Sequence, residues 1–234
     1  MHKTNPEIVR TAKLIDRTPS SLAMKLVNFA SLDPAITKTG RKGLGNASME
    51  DRKVWEEFHA DWERLALQGA KISGELGVRD IVALAGEDEE KIVEIESFEA
   101  GGRQAWVEVR TKQAFFRKAV ISSYQARCCM SGLGVPSLLI ASHIVPWKKD
   151  RSNRLNPRNG LCLSALHDRA FDKGLITVTP ELQIKVSNAL KKSASERFLT
   201  SSLLSLEGER LTLPEKFFPE PRFLEYHVKN VFQG

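Results

Sequence analysis

The sequence has few cysteines and no long apolar run, and each shortage removes a class of protein. The longest stretch without charge, Cys128 to Trp147, is broken by Gly132, Gly134, Pro136, Ser142 and His143. Its apolar part is far short of the roughly 18 residues a transmembrane helix needs, so no membrane partner is expected. The opening MHKTNPEIVR lacks an apolar segment behind its basic start, so no secretory signal is expected either. Three cysteines, Cys128, Cys129 and Cys162, are odd in number and two are adjacent, which argues against a disulfide framework. A reducing cytoplasm is the expected compartment. There is no pair of Cys-x-x-Cys motifs, so no structural zinc is expected.

What is present fits an ordinary globular chain of one large or two small domains: 234 residues, 41% hydrophobic and 27% charged. The net charge of +6 is unevenly spread. Residues 63–102 hold 4 Lys/Arg against 10 Asp/Glu, whereas residues 103–192 hold 16 against 5. A basic block of that size points to a polyanion, because each cation placed near a phosphate releases condensed counterions. A solvated basic face explains the charge equally well, so motifs must decide.

Ile8, Ala12 and Ile15 share one helical face, and Leu22, Leu26 and Phe29 repeat the spacing after a break at Asp16–Pro19. Thr18 can cap the second helix and Pro19 suits its first position. Two helices and a tight turn outline a helix-turn-helix or a plain helical hairpin; Ser20, Ser21, Lys25 and Asn28 would lie on the polar side of the second helix. The loop Thr37–Gly45 interleaves glycines with basic residues, which makes Arg41 and Lys42 candidates for gripping a nucleic-acid backbone. Ser48 with Asp51 forms a capping-box pattern for a helix expected to reach about Leu67, with Trp55, Phe58, Trp62 and Leu65 as a core stripe. Acidic residues from Glu87 to Glu99 read as a connecting segment or a solvated face. The expected organisation is α+β: a helical module over residues 1–70, an acidic connection over 71–111, and a second domain over 112–234.

That second domain opens with a basic helix, about Lys112 to Gln125, with Phe115, Ala119 and Ser122/Ser123 along one side. An apolar strand, Pro136–Val145, ends near His143. An arginine-rich loop, Trp147–Asn159, precedes a short strand, Gly160–Leu163. Ser164 then starts a helix carrying His167, Asp168, Phe171 and Asp172, which Gly174 stops. Leu175–Val178 and Gln183–Ser187 read as a hairpin.

The stretches ASHIVPW (141–147), NPRNGLCL (156–163) and LHDRAFDKGL (166–175) resemble the HNH endonuclease family, whose core is a ββα-metal finger. The motif residues fall at His143, Asn159 and His167. The turn Cys129-Met130-Ser131-Gly132 and the end segment Phe223-Leu224-Glu225-Tyr226-His227 are similar to those of a bacterial restriction-type subfamily. The resemblance implies metal-dependent hydrolysis of double-stranded DNA, with His143 as general base, His167 as a metal ligand and Asn159 bridging the backbone and the His143 ring. It also implies phosphate binding by Lys148, Arg151, Arg154, Arg158 and Arg169, near where a minor groove would lie. Since one finger cuts one strand, double-strand cleavage implies a homodimer.

Two ligand positions depart from the family pattern. Many members carry Asp or His just before the base, where this chain has Ser142, and some carry a second histidine where this chain has Phe171. Asp172 is then the best second ligand and Asp168 the next, with Mg²⁺ the expected ion and Mn²⁺ the other candidate. On an ideal helix Asp172 lies about 140° around from His167. It shares the ion only if the helix ends before it; otherwise Asp172 bonds the loop and the ion keeps several waters. The rival to an enzyme is a DNA-binding regulator that keeps the finger as a scaffold; a monomeric nicking or homing-type nuclease is a further alternative.

Overall fold

The computed structural model describes residues 2–37, 45–77, 103–192 and 196–234, and only the backbone of residues 35 and 103–106. Arg41, Lys42 and the acidic stretch 87–99 lie outside the described residues. Met1–Ile81 and Val82–Gly234 form separate compact units.

The described part of the first unit is helical: α1 (Pro6–Leu14), α2 (Pro19–Leu32), α3 (Pro34–Thr37), α4 (Met49–Phe58) and α5 (Trp62–Glu75). Side-chain caps set the starts. Asn5 accepts from the amides of Glu7 and Ile8, and Thr18 accepts from Ser21 with Pro19 at the first position. Asp16, at φ 51°, turns the chain between α1 and α2. Ser48 and Asp51 exchange both bonds of a capping box. The helix expected to run on to Leu67 stops at Phe58, because the Asp61 side chain takes the Arg64 amide and begins a new helix. Each such cap contributes about 1 kcal/mol, enough to favour two helices over one.

In the second unit α6 (Arg103–Ser123) begins earlier than the sequence pattern places it. Its buried side also differs by one residue. Phe116 and Val120 are fully buried while Phe115 is only half-buried, because the hairpin lies against the Phe116 side. That hairpin pairs β1 (Leu139–His143) with β2 (Gly160–Ser164), antiparallel, with His143 opposite Gly160 and Leu139 opposite Ser164. Every residue of β2 is buried, so both faces of the hairpin are covered; α6 and α7 (Ala165–Asp172) both pack against it. Ser164 ends β2 and caps α7 by accepting from the His167 amide at 3.3 Å. A second hairpin, β3 (Ile176–Val178) with β4 (Ile184–Val186), follows, and then α8 (Asn188–Lys192), α9 (Arg197–Ser202) and α10 (Pro221–Asn230). The unit is α+β, with two small sheets built around α7. Among the described residues no helix is long and apolar enough to cross a membrane.

The chain end is clamped onto the end of α7. His227 of α10 is 2% exposed, stacks on Phe171 at 3.6 Å between centroids, and bonds Thr177 Oγ1 at 2.8 Å and the Phe171 carbonyl at 3.2 Å. Gly174, at φ +64°, lies so close to the tail that a Cβ there would stand 2.0 Å from the Val231 carbonyl oxygen. Gly174→Ala therefore adds left-handed strain to a backbone clash, and urea unfolding should show a loss of about 2–4 kcal/mol. Burial pushes the His227 imidazole down to about 4, against the raising effect of the Phe171 carbonyl. Its stabilisation is complete above the ordinary value near 6.5, declines as pH falls because only the unfolded chain takes the proton, and levels off below about 4. The loss is about 3 kcal/mol over that window; a His227→Gln variant should show a flatter pH dependence of denaturation midpoint.

Candidate active site

β1 delivers His143 to the end of the hairpin, beneath α6. The imidazole stacks on Phe116, with centroids 3.8 Å apart and planes 9° apart, and meets the Trp147 ring edge-on at 5.5 Å. Its Nε2 lies 2.9 Å from the Arg154 carbonyl. A carbonyl only accepts, so Nε2 carries the hydrogen and Nδ1 keeps the lone pair. Burial pushes the ring down to about 4, opposed by the Arg154 carbonyl and assisted by the Arg154 charge, so His143 is neutral near pH 7.

The loop that supplies this carbonyl is held by side chains standing in for backbone. Asn159 Oδ1 accepts from the Val145 amide at 2.8 Å, and its Nδ2 donates to the carbonyls of Val145 and Asn153 at 3.2 and 3.3 Å. The Ile144 amide donates to the Asn159 carbonyl at 2.9 Å. Asp150 caps the turn at Arg151–Asn153, and Asn156 caps the turn at Pro157–Asn159. Arg154 Nε donates to the Trp147 carbonyl and its guanidinium covers the Trp147 ring at 4.9 Å. Asn159 thus bonds backbone at both ends, not the His143 ring as expected; it orients His143 through the loop that presents the Arg154 carbonyl.

His167 is placed differently from expectation. It is 4% exposed in the first turn of α7, with Nδ1 3.0 Å from Ser164 Oγ and 3.3 Å from Cys128 Sγ, and Nε2 3.1 Å from the Ser202 carbonyl. Burial pushes its pKa down, but Cys128 and the Ser202 carbonyl outweigh this and raise it. Burial likewise pushes the Cys128 thiol up, yet the His167 bond, helped by Ser131 and Met130, brings it down to about 6. The two are hydrogen-bonded within the interior, Cys128 Sγ against His167 Nδ1, and each shifts the other toward its charged form. His167 is tied to Ser164, at the Leu139 end of the hairpin, which the register sets about 13 Å along the strand from His143.

The expected basic residues divide by role. Lys148 and Arg151 are exposed and Arg158 half-buried, all on the loop after β1 with the half-buried Arg154, while Arg169 is exposed on α7. Lys25, in the other unit, bonds Asp51 Oδ1 at 2.8 Å and ties α2 to α4, holding the Asp51 carboxyl below the usual range. Asn28 is 9% exposed and donates to the Asn46 carbonyl, so it is not on an outer polar face.

Residues 128–179 match the HNH endonuclease family. No curated protein matches the chain. The matched span covers less than a quarter of the chain; it takes in β1, β2 and α7 and stops short of α6. The match marks this span as similar to HNH endonuclease domains, which act on nucleic acid and generally work with a divalent ion.

The residues expected to hold that ion do not fit it. Both ring nitrogens of His167 are engaged by protein, Nδ1 by Ser164 and Cys128 and Nε2 by the Ser202 carbonyl, so neither is open to an ion. α7 continues through Asp172, which keeps that carboxylate around the helix from His167. Ser142, at the other ligand position, is 3% exposed, points by strand alternation to the face away from His143, and its hydroxyl finds no partner among the described residues. Among those residues no three His, Cys, Asp or Glu side chains are grouped to hold a metal.

Sequence reasoning missed Phe116, Cys128 and the Ser202 carbonyl. For Phe116 a signal was present, since Phe116 and Val120 are four apart; for the other two the partners are 39 and 35 residues from His167. Asn159→Ala removes three hydrogen bonds, two of them buried, and strands the Val145 amide. Thermal or urea unfolding should show a loss of about 2–4 kcal/mol, and an unchanged midpoint would contradict the assigned bonds.

Proposed function

We propose that this chain is a restriction-type DNA endonuclease that cleaves with His143 as general base. The observation that carries the reading is the state of that ring: Nε2–H is fixed on the Arg154 carbonyl, leaving the Nδ1 lone pair of a neutral imidazole for water. Water bonded to Nδ1 gives its proton to the ring as its oxygen attacks phosphorus; the bond to the 3′ oxygen breaks, and the departing alkoxide takes a proton from solvent. The products are a 5′-phosphate and a 3′-hydroxyl. A ring that titrates near 4 is a weak base alone, but a bound phosphodiester anion beside it favours the imidazolium and raises its basicity when substrate is present. Lys148, Arg151 and Arg158 on the adjoining loop, with Arg169, supply cations for the strand. The resemblance supports double-stranded DNA as substrate and a homodimer so that both strands are cut, and it implies Mg²⁺, for which the expected ligands His167 and Asp172 do not fit; the few cysteines support a cytoplasmic location, and the helical module over 1–70 adds DNA recognition.

The engagement of His167 by Cys128, Ser164 and Ser202 favours a second reading, a DNA-binding regulator that retains the finger as a scaffold. Plasmid cleavage with Mg²⁺, with Mn²⁺ and with EDTA separates the two. His143→Ala should lower cleavage by about 10²–10⁴-fold and leave gel-shift affinity for the same DNA unchanged. Equal cleavage by parent and variant removes His143 as the base, and binding without cleavage under either metal selects the regulator.

A further inference from the structure

We propose that Phe116, on α6 and outside the family-matched span, is a positioning residue that holds the His143 imidazole in its reactive orientation. The inference rests on the reading of His143 as the base. Three observations converge on it. The two rings are stacked nearly parallel, 3.8 Å between centroids and 9° between planes, which is face-to-face contact. Trp147 closes the edge at 84°, so rotation of the imidazole out of this slot would collide with one ring or lose the other. The slot also exists only because residue 160 is glycine: a Cβ there would stand 2.9 Å from Phe116 Cζ and 2.4 Å from Val120 Cγ2.

Gly160 is the strand partner of His143. Its missing side chain therefore lets α6 descend onto the hairpin at the one register position where the base stands. Phe116 then fixes the ring plane, while the Arg154 carbonyl, in hydrogen-bond contact with Nε2, fixes which nitrogen carries the hydrogen. Two constraints from different parts of the chain define where the Nδ1 lone pair points. Around the ring, α6 presents Phe116, the loop presents Trp147 and the charged Arg154, and Gly160 stands opposite His143 in β2, so Arg154 is the ionised neighbour that acts on it.

The test uses the full chain. In the parent, proton NMR should show His143 ring protons displaced upfield by the Phe116 ring current, assigned by their loss in His143→Ala, and titrating near 4. Phe116→Met keeps apolar volume but removes the ring plane. It should abolish the upfield displacement and move the titration toward 6.5. With supercoiled plasmid and Mg²⁺ it should lower kcat about tenfold or more with KM nearly unchanged, since an ill-aimed base costs the chemical step and not binding. The acid limb of its pH–rate profile should move to higher pH, and Phe116→Tyr, which restores a ring face, should recover kcat and profile. Circular dichroism at the assay temperature confirms that each variant is folded. Parent ring protons at ordinary positions, or a folded Phe116→Met with parental kcat and acid limb, would overturn the assignment. A parent that cuts no DNA overturns the nuclease reading instead, and the ring-proton measurement still decides whether Phe116 holds the imidazole.

Discussion

The carboxamide of Asn159 is the constraint on which the site depends. It supplies a donor and an acceptor to backbone that belongs to no sheet: the Val145 amide and carbonyl on one side, the Asn153 carbonyl on the other. With the side chain 1% exposed, these groups have no water to turn to, so the bonds are either made or their loss is paid in full. The loop closed in this way places the Arg154 carbonyl against His143, and the tautomer of that ring follows from the one contact. An asparagine is suited to this because aspartate could not donate and leucine could do neither.

Local rules made much of this legible in the sequence. Thr18 with Pro19, the Ser48–Asp51 box, the Ser164 cap and the left-handed Gly174 are short-range devices, and each acts within four residues of the feature it controls. The Asp61 cap is equally local, but the aromatic stripe Trp55–Leu65 obscured it because a helical period continues across the break. Phe116 illustrates the next level. Two adjacent phenylalanines on a helix give an ambiguous face, and only the position of the hairpin, a tertiary fact, turns Phe116 inward and leaves Phe115 half-buried.

The chain order of His143, Asn159 and His167 says that a finger is built, but not what each ring does. His143 and His167 differ in what surrounds them. One is stacked, desolvated and neutral; the other faces a thiol whose acidity it increases and by which its own basicity is raised. The same residue type thus ends with opposite shifts. Burial disfavours charge in both, and only His167 has an ionisable partner close enough to reverse the outcome.

That reversal explains why a ligand role does not follow from motif position. A metal needs a free ring nitrogen, and capture by His167 would have to break the contact to Cys128 or the bond to the Ser202 carbonyl before any coordination energy is gained. Cys128 lies in the turn that leads into the finger and Ser202 ends α9, so the bonds to His167 fasten two distant segments to the first turn of α7. In this arrangement His167 works as a buried structural node, and the proposed catalytic face is the opposite end of the hairpin, where α6, Gly160 and the Arg154 carbonyl meet His143.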